Sequence, residues 1–460
     1  MTTLARTLGF RDLLLLVIGA VIGSGIFLVP GAILRQVDGS VGLAMLVWLV
    51  GGILTLLGAL TYGEMTAMKP QAGGIYVFIR DCFGRIPAFL YGWTLFFVIA
   101  TGATATLSVA FSKYFGEIVP LSPAGAKVVS LAMIAVIAVI NVRGTRRSAD
   151  VQNVSTLIKA GAVVLMSAGL LVMGRNYHAL TASLFPTRIT GTLLSQAGMA
   201  MIGALWAYEA WQFATFSAGE AIEPQKNYPR AFLGGILFLI ALYIVANLAY
   251  IVALGPAEVA ATDTIAATSV SRVLSPALAK LVALAIMVST FSAANSIQLT
   301  APRVYYAMAM DGLFFKKLSE VHPKFRTPAL AIVIGAVWSA ALALSGTFQK
   351  LFTYVIFSAW IFYGLAAACV FVYRKREPNT ERPYRVPGYP WTPALFVLAA
   401  TALVVNTVYA TFFAKNSTAS PAEAAVGIGI IVAGLPAYFV WRGKDKEKNL
   451  EPQMNADKHS

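Results

Sequence analysis

With 460 residues, 58% of them hydrophobic and only 12% charged, the chain is neither a disordered segment nor an ordinary soluble domain. A mean hydropathy of +0.73 points instead to a polytopic helical membrane protein. The formal net charge of +15 does not mark a nucleic-acid partner, because the 35 Lys and Arg residues bracket apolar runs and form no single basic face.

A membrane-spanning helix needs about 20 mainly apolar residues. Twelve segments qualify: 12–34, 42–66, 87–112, 126–142, 151–173, 193–217, 231–255, 277–308, 328–346, 351–373, 392–413 and 422–441. An even number puts both termini on one side. With that side inside, inner segments hold 24 Lys and Arg and outer segments nine, so cytoplasmic termini in a cell inner (plasma) membrane are expected. The first run is too long for a cleaved signal and is followed by polar residues. No loop is long enough to hold a soluble domain, which leaves one transmembrane domain over 1–441 and a tail, 442–460, expected to be disordered.

Within the first run, Val21-Ile22-Gly23-Ser24-Gly25-Ile26-Phe27 places two glycines and a serine at the middle of an apolar helix. They are either small residues at a packing face or an opened helix whose bare N–H and C=O groups line a cavity. After the second run, Lys69-Pro70-Gln71-Ala72-Gly73-Gly74-Ile75-Tyr76 has the breakers of a short re-entrant or surface turn. Lys159, nine residues past Asp150, falls about 13 Å along the fifth helix, near the midplane of a ~30 Å core. From there it snorkels poorly, so it reads as a functional cation. The sixth run carries Trp206-Ala207-Tyr208-Glu209-Ala210-Trp211. A charge at that depth costs roughly 2.5–3.5 kcal/mol, and Glu209 with its aromatic neighbours is read as facing a cavity.

The polar loop 220–230 follows. The eighth run, Ser289-Thr290-Phe291-Ser292-Ala293-Ala294-Asn295-Ser296, has hydroxyls that bond back to their own helix or line the same cavity. A basic, proline-rich connector runs from Arg374 to Pro393. Cys82 and Cys369 form neither a disulfide framework nor a ligand pattern, and His178, His322 and His459 lie in loops or the tail. No metal, cofactor or enzymatic constellation is expected.

Together these residues resemble the amino acid–polyamine–organocation superfamily of transporters. Gly23-Ser24-Gly25-Ile26-Phe27 is similar to its substrate-binding break in span one, and Trp206 to Trp211 to the counterpart in span six. Glu223-Pro224 with Asn227 to Ala231, Arg303 through Gly312, and Arg385 to Pro390 resemble its loop patterns. The resemblance implies an all-α LeuT-type fold: inverted repeats over about 12–173 and 193–373, with two appended helices over 392–441. Lys159 resembles the lysine of sodium-independent members, where the ammonium stands in place of a sodium ion. The whole is most similar to bacterial homologues of the L-type transporters, the light chains of heteromeric transporters. Those light chains carry a cysteine between spans three and four, absent here from Lys113 to Lys127, so no disulfide-linked heavy chain is expected. Many light chains have two glycines where this chain has Glu209-Ala210.

The resemblance implies a sodium-independent exchanger of neutral L-amino acids that works by alternating access. Backbone N–H groups of Ser24, Gly25 and Ile26 would take the carboxylate. Carbonyls near Val21, Trp206 and Glu209 would take the ammonium, with Ala207 in the same break and Trp206 covering the substrate. Lys159 would couple span five to carbonyls around Gly19–Ile22, and Tyr208 and Asn295 are candidates for the pocket lining. Two alternatives share the fold: a proton-coupled symporter, and a non-transporting sensor of the germinant-receptor type.

Overall fold

An apolar segment in hydrocarbon satisfies its backbone internally only as a helix or a closed barrel. The computed structural model describes residues 4–441 except 182–183, 187, 189, 346–347 and 413–427, with side chains also left aside at 192, 348–357 and 410–412. Among the described residues the secondary structure is helical, apart from one parallel bridge between Leu8 and Ala221. The expected tail, 442–460, lies outside the described residues.

The helices run in order as α1 (Phe10–Val21), α2 (Gly25–Leu28), α3 (Pro30–Gln36), α4 (Val41–Met68), α5 (Ile75–Phe83), α6 (Arg85–Thr94), α7 (Ala100–Gly116), α8 (Pro123–Val142) and α9 (Thr145–Met173). They continue with α10 (Gly191–Ala207), α11 (Pro224–Leu254), α12 (Pro256–Ala261), α13 (Ile265–Val273), α14 (Pro276–Thr300), α15 (Pro302–Met310), α16 (Ala329–Ser345), α17 (Phe348–Arg376), α18 (Trp391–Phe412) and α19 (Ile428–Trp441). Each of the twelve expected segments carries helix. Among the described residues, eight helical runs are long and apolar enough by themselves to cross a membrane, including Phe10–Leu28, Arg85–Gly116 and Pro276–Met310. Two further apolar helices, α16 and α19, are shorter.

Besides the π turn from Leu95 to Ile99 between α6 and α7, two of the twelve segments are, among the described residues, opened by non-helical backbone. The first is α1, a three-residue gap, then α2, with Pro30 opening α3 where its missing N–H costs nothing. The sixth is α10 followed, after a left-handed Ala210 (φ 81°), by a 3₁₀ segment from Trp211 to Glu220. Helix α1 packs on α9, α11, α14 and this 3₁₀ segment, so both interruptions lie inside the bundle. Its outer faces are apolar: Leu165 is 75% and Val172 81% exposed, the surface that lipid would cover. The 69–76 turn leads into α5, whose Ile75 to Ile79 are buried, and Gly73 N–H donates to the Phe216 carbonyl at 3.0 Å.

The basic segments gather at one end and pair there. Lys69 meets Glu377 at 2.8 Å, Arg80 meets Asp311 at 2.7 Å, and Arg374 meets Glu64 at 2.7 Å. The Lys69 ammonium holds the Glu377 carboxyl below the ordinary glutamate range. Deeper in, Arg303 and Glu220 are both fully buried, joined at 2.7 Å, with Thr145 donating to the same carboxylate at 2.7 Å. Removing one member of such a pair strands the other charge, a loss of about 3–5 kcal/mol, while replacing both by apolar groups is close to neutral. Arg303→Met should therefore lower the melting midpoint in detergent sharply, and Arg303→Met with Glu220→Met should recover most of it. A single variant as stable as wild type would contradict this account of the pair.

Candidate functional site: two broken helices around one cavity

The break in the first segment leaves carbonyls without helical partners, and three neighbouring helices supply donors. Lys159, fully buried on α9, reaches the Gly19 carbonyl at 2.5 Å and the Ile22 carbonyl at 2.6 Å. Its third contact is the Ser289 carbonyl of α14 at 3.4 Å. Ser289 in turn donates its hydroxyl to the Ile22 and Gly23 carbonyls at 2.9 and 3.0 Å. From α11, the Tyr243 hydroxyl lies 3.1 Å from both the Val21 carbonyl and the Ala207 carbonyl, so one side chain bridges the two interruptions.

Small residues make this approach possible. A Cβ at Gly19 would lie 2.1 Å from both Gln152 Nε2 and Thr156 Oγ1, so only glycine lets α9 come close enough for Lys159 to bond the break. At Gly25 a Cβ would lie 2.6 Å from Ala207 Cα, which sets the start of α2 directly against the end of α10. The N–H groups of Ser24, Gly25 and Ile26 are the first of α2, and the opening N–H groups of a helix have no partner within it. Such a set favours an anion.

Between the breaks is a cavity of about 30 Å³ lined by Val21, Gly23, Ser24, Gly25, Trp206 and Glu209, with Ala293 and Ile297 of α14 opposite. The Ser24 hydroxyl is buried with no partner among the described residues. One Glu209 oxygen accepts from Gln212 Nε2 and from the Tyr363 hydroxyl, both at 2.6 Å, which fixes the carboxylate beside the cavity. Donors for a carboxylate on one side, and carbonyls with a carboxylate on the other, can hold a small zwitterion. The volume admits about two waters, so a larger ligand enters only when the surrounding helices part.

The structure thus brings Val21, Ser24, Gly25, Trp206 and Glu209 to one wall, with Ile26 and Ala207 in the same breaks and Lys159 behind them. Tyr208 and Asn295 lie off that wall. The Tyr208 ring packs on Trp48 and Tyr243 at 6.1 and 5.0 Å. Asn295 accepts from Asn141 Nδ2 at 2.9 Å and donates to Gln152 Oε1 at 3.2 Å, because its helix face meets α8 and α9. The eighth-segment hydroxyls divide: Ser289 serves the break, whereas Thr290, Ser296 and Thr300 bond back to their own helix. Sequence reasoning did not single out Tyr243, Gln212 or Tyr363. A tyrosine inside an apolar run carries no local signal of what its hydroxyl will meet.

A profile of the amino acid permease family matches residues 8–436. The chain is 32% identical over 445 residues to the serine/threonine exchanger SteT of Bacillus subtilis (strain 168), covering 95% of this chain and 97% of that protein. It is 30% identical to the b(0,+)-type amino acid transporter 1 of Mus musculus over 448 residues, 96% of this chain and 88% of that one. With the large neutral amino acids transporter small subunit 2 of Homo sapiens the identity is 27% over 455 residues, 96% and 82% of the two chains.

The contact between Gly25 and Ala207 makes a definite demand. Gly25→Ala should abolish transport by forcing the two breaks apart, while the protein still inserts and elutes as a single species from detergent. Wild-type transport by that variant would show that the close approach is dispensable.

Proposed function

The chain belongs to the amino acid permease family, and on that premise we propose that it exchanges neutral L-amino acids across the cell membrane, without sodium, by alternating access. The observation that carries this reading is the meeting of two interrupted helices around one cavity, with Lys159 bonded to the carbonyls of the first. The substrate carboxylate takes the N–H groups of Ser24, Gly25 and Ile26. Its ammonium takes carbonyls near Val21, Trp206 and Glu209, and Trp206 covers it. The relatives named for serine/threonine exchange and for neutral amino acid transport favour this substrate class over an obligatory dibasic one.

Lys159 does the work of a bound cation. Its ammonium neutralises the carbonyl dipoles that face inward at Gly19 and Ile22 and holds the break in one arrangement, so its effect is on the equilibrium between conformations. No disulfide-linked heavy chain is part of this reading, since the 113–127 segment has no cysteine for such a bond. The paired basic end faces the cytoplasm, by the excess of 24 cations over nine. The repeats over about 12–173 and 193–373 rock against each other to expose the site to one side and then the other.

Counterflow in proteoliposomes tests the function. Labelled substrate should enter only vesicles loaded with amino acid, and neither a sodium nor a pH gradient should drive uptake. Accumulation that follows a pH gradient would establish the proton symporter, and binding without flux the sensor. Lys159→Ala should reduce exchange by at least about tenfold while changing substrate binding less; exchange at the wild-type rate would remove the lysine from the mechanism. For orientation, a single cysteine at the exposed Ala257, with Cys82 and Cys369 replaced, should react with an impermeant reagent from outside. Labelling from inside alone would invert the topology.

A further inference from the structure

A second chamber lies beside the cavity, along the same seam between α7 and α14. The cavity takes Ala103 and Leu107 from α7 and Ala293 and Ile297 from α14. The chamber takes Thr101 and Thr104 from α7 and Ile297 and Gln298 from α14, and is closed by Tyr305 and by Ser339 of α16. Ile297, 3% exposed, is the wall common to both.

Two features of this chamber are unexplained by packing. A π-helical turn from Leu95 to Ile99 interrupts the helix just before it, and Thr101 Oγ1 donates to the freed Phe96 carbonyl at 2.6 Å. Such turns are rare and are concentrated at functional positions. Facing it across the seam, the Gln298 side chain is 6% exposed, and neither its amide nitrogen nor its amide oxygen has a partner among the described residues. A primary amide carries two donors and an acceptor, and buried polar groups are nearly always paired. Leucine or methionine would fill the same space without stranding any of these. Thr104 and Ser339 donate their hydroxyl protons to the Ala100 and Gly335 carbonyls of their own helices, which leaves none for the Gln298 oxygen, and the Gln298 nitrogen makes no bond to either hydroxyl.

We propose that the Gln298 chamber is the far end of the substrate site and receives the terminal amide of a longer neutral amino acid, of the glutamine or asparagine kind, once Ile297 turns aside. This deepens the reading of the chain as an amino acid exchanger and rests on it. Two primary amides pair reciprocally, each N–H donating to the other's carbonyl, and so satisfy Gln298 in a way no apolar side chain does. When a short substrate is bound, a water takes the place of the amide; the chamber's free volume of about 10 Å³ is about that of one water.

Proteoliposomes containing the full chain and loaded with alanine provide the test, with labelled glutamine and labelled alanine as the two external substrates. Wild type should exchange both. Gln298→Leu and Gln298→Met should each lower the glutamine-to-alanine ratio by about tenfold, because the substrate amide loses its partner. Ile297→Ala, which opens the wall, should raise that ratio. An unchanged ratio in both Gln298 variants would overturn the proposal and leave the chamber holding water only. Equal loss of both substrates would also overturn it, making Gln298 a packing residue. Wild type that exchanges alanine and not glutamine defeats this inference while the proposed function stands; wild type that exchanges neither defeats both.

Discussion

Every backbone C=O in hydrocarbon needs a donor, and this fold is arranged around the places where the helix itself cannot provide one. At Gly19, Val21, Ile22 and Gly23 the carbonyls are served by Lys159, Ser289 and Tyr243, from three different helices. An orphaned group there would cost several kcal/mol, on the order of a whole domain's margin of stability. The break is therefore stable only while α9, α11 and α14 stand where they do. Conversely, the carbonyls fix those helices against α1.

The same helix that carries Lys159 also reaches the paired basic end. Thr145, Ser148, Gln152, Thr156 and Lys159 follow one another at spacings of three or four and so share one face of α9. Thr145 donates to Glu220, Ser148 to Asn141, Gln152 to Thr156, and Thr156 to the Leu15 carbonyl. Asn295 joins this stripe through Gln152 and Asn141. The buried Arg303–Glu220 pair at one end and the broken helix at the other are thus ligands of a single rigid element. Any displacement of α9 acts on both, which is the physical form that coupling between a site and a distant closure takes.

The closed cavity has a corresponding meaning. Its walls meet closely because glycine and alanine stand where the two breaks touch, and Tyr243 holds the Val21 and Ala207 carbonyls together. On the proposed function, a ligand that enters would separate these groups and replace the lost contacts with its own carboxylate and ammonium. Binding energy is then spent on changing the relative position of the two interrupted helices, which is what a carrier needs and a simple receptor does not. Exposed Val172 and Leu165 impose no such constraint, since lipid replaces lipid as the helices move.

The sequence by itself determined the class of the molecule and the location of its breaks. Twelve apolar runs follow from composition, because only helices satisfy the backbone of such runs in a membrane. Gly23-Ser24-Gly25, Glu209 and Lys159 stood out because each violates the apolar pattern at mid-depth, and the family resemblance rested on those same violations. Only the tertiary structure decided which side chains meet the breaks. Tyr243 and Ser289 are ordinary residues of their helices, and their hydroxyls became donors to the first segment through the packing of α11 and α14 on α1. Asn295 and Tyr208 had the same local appearance as pocket residues, yet helix rotation turned one toward α8 and α9 and the other toward Trp48. A run that is buried on nearly all sides has no polar face to reveal its orientation, so the facing of each side chain is settled by the neighbours it packs against.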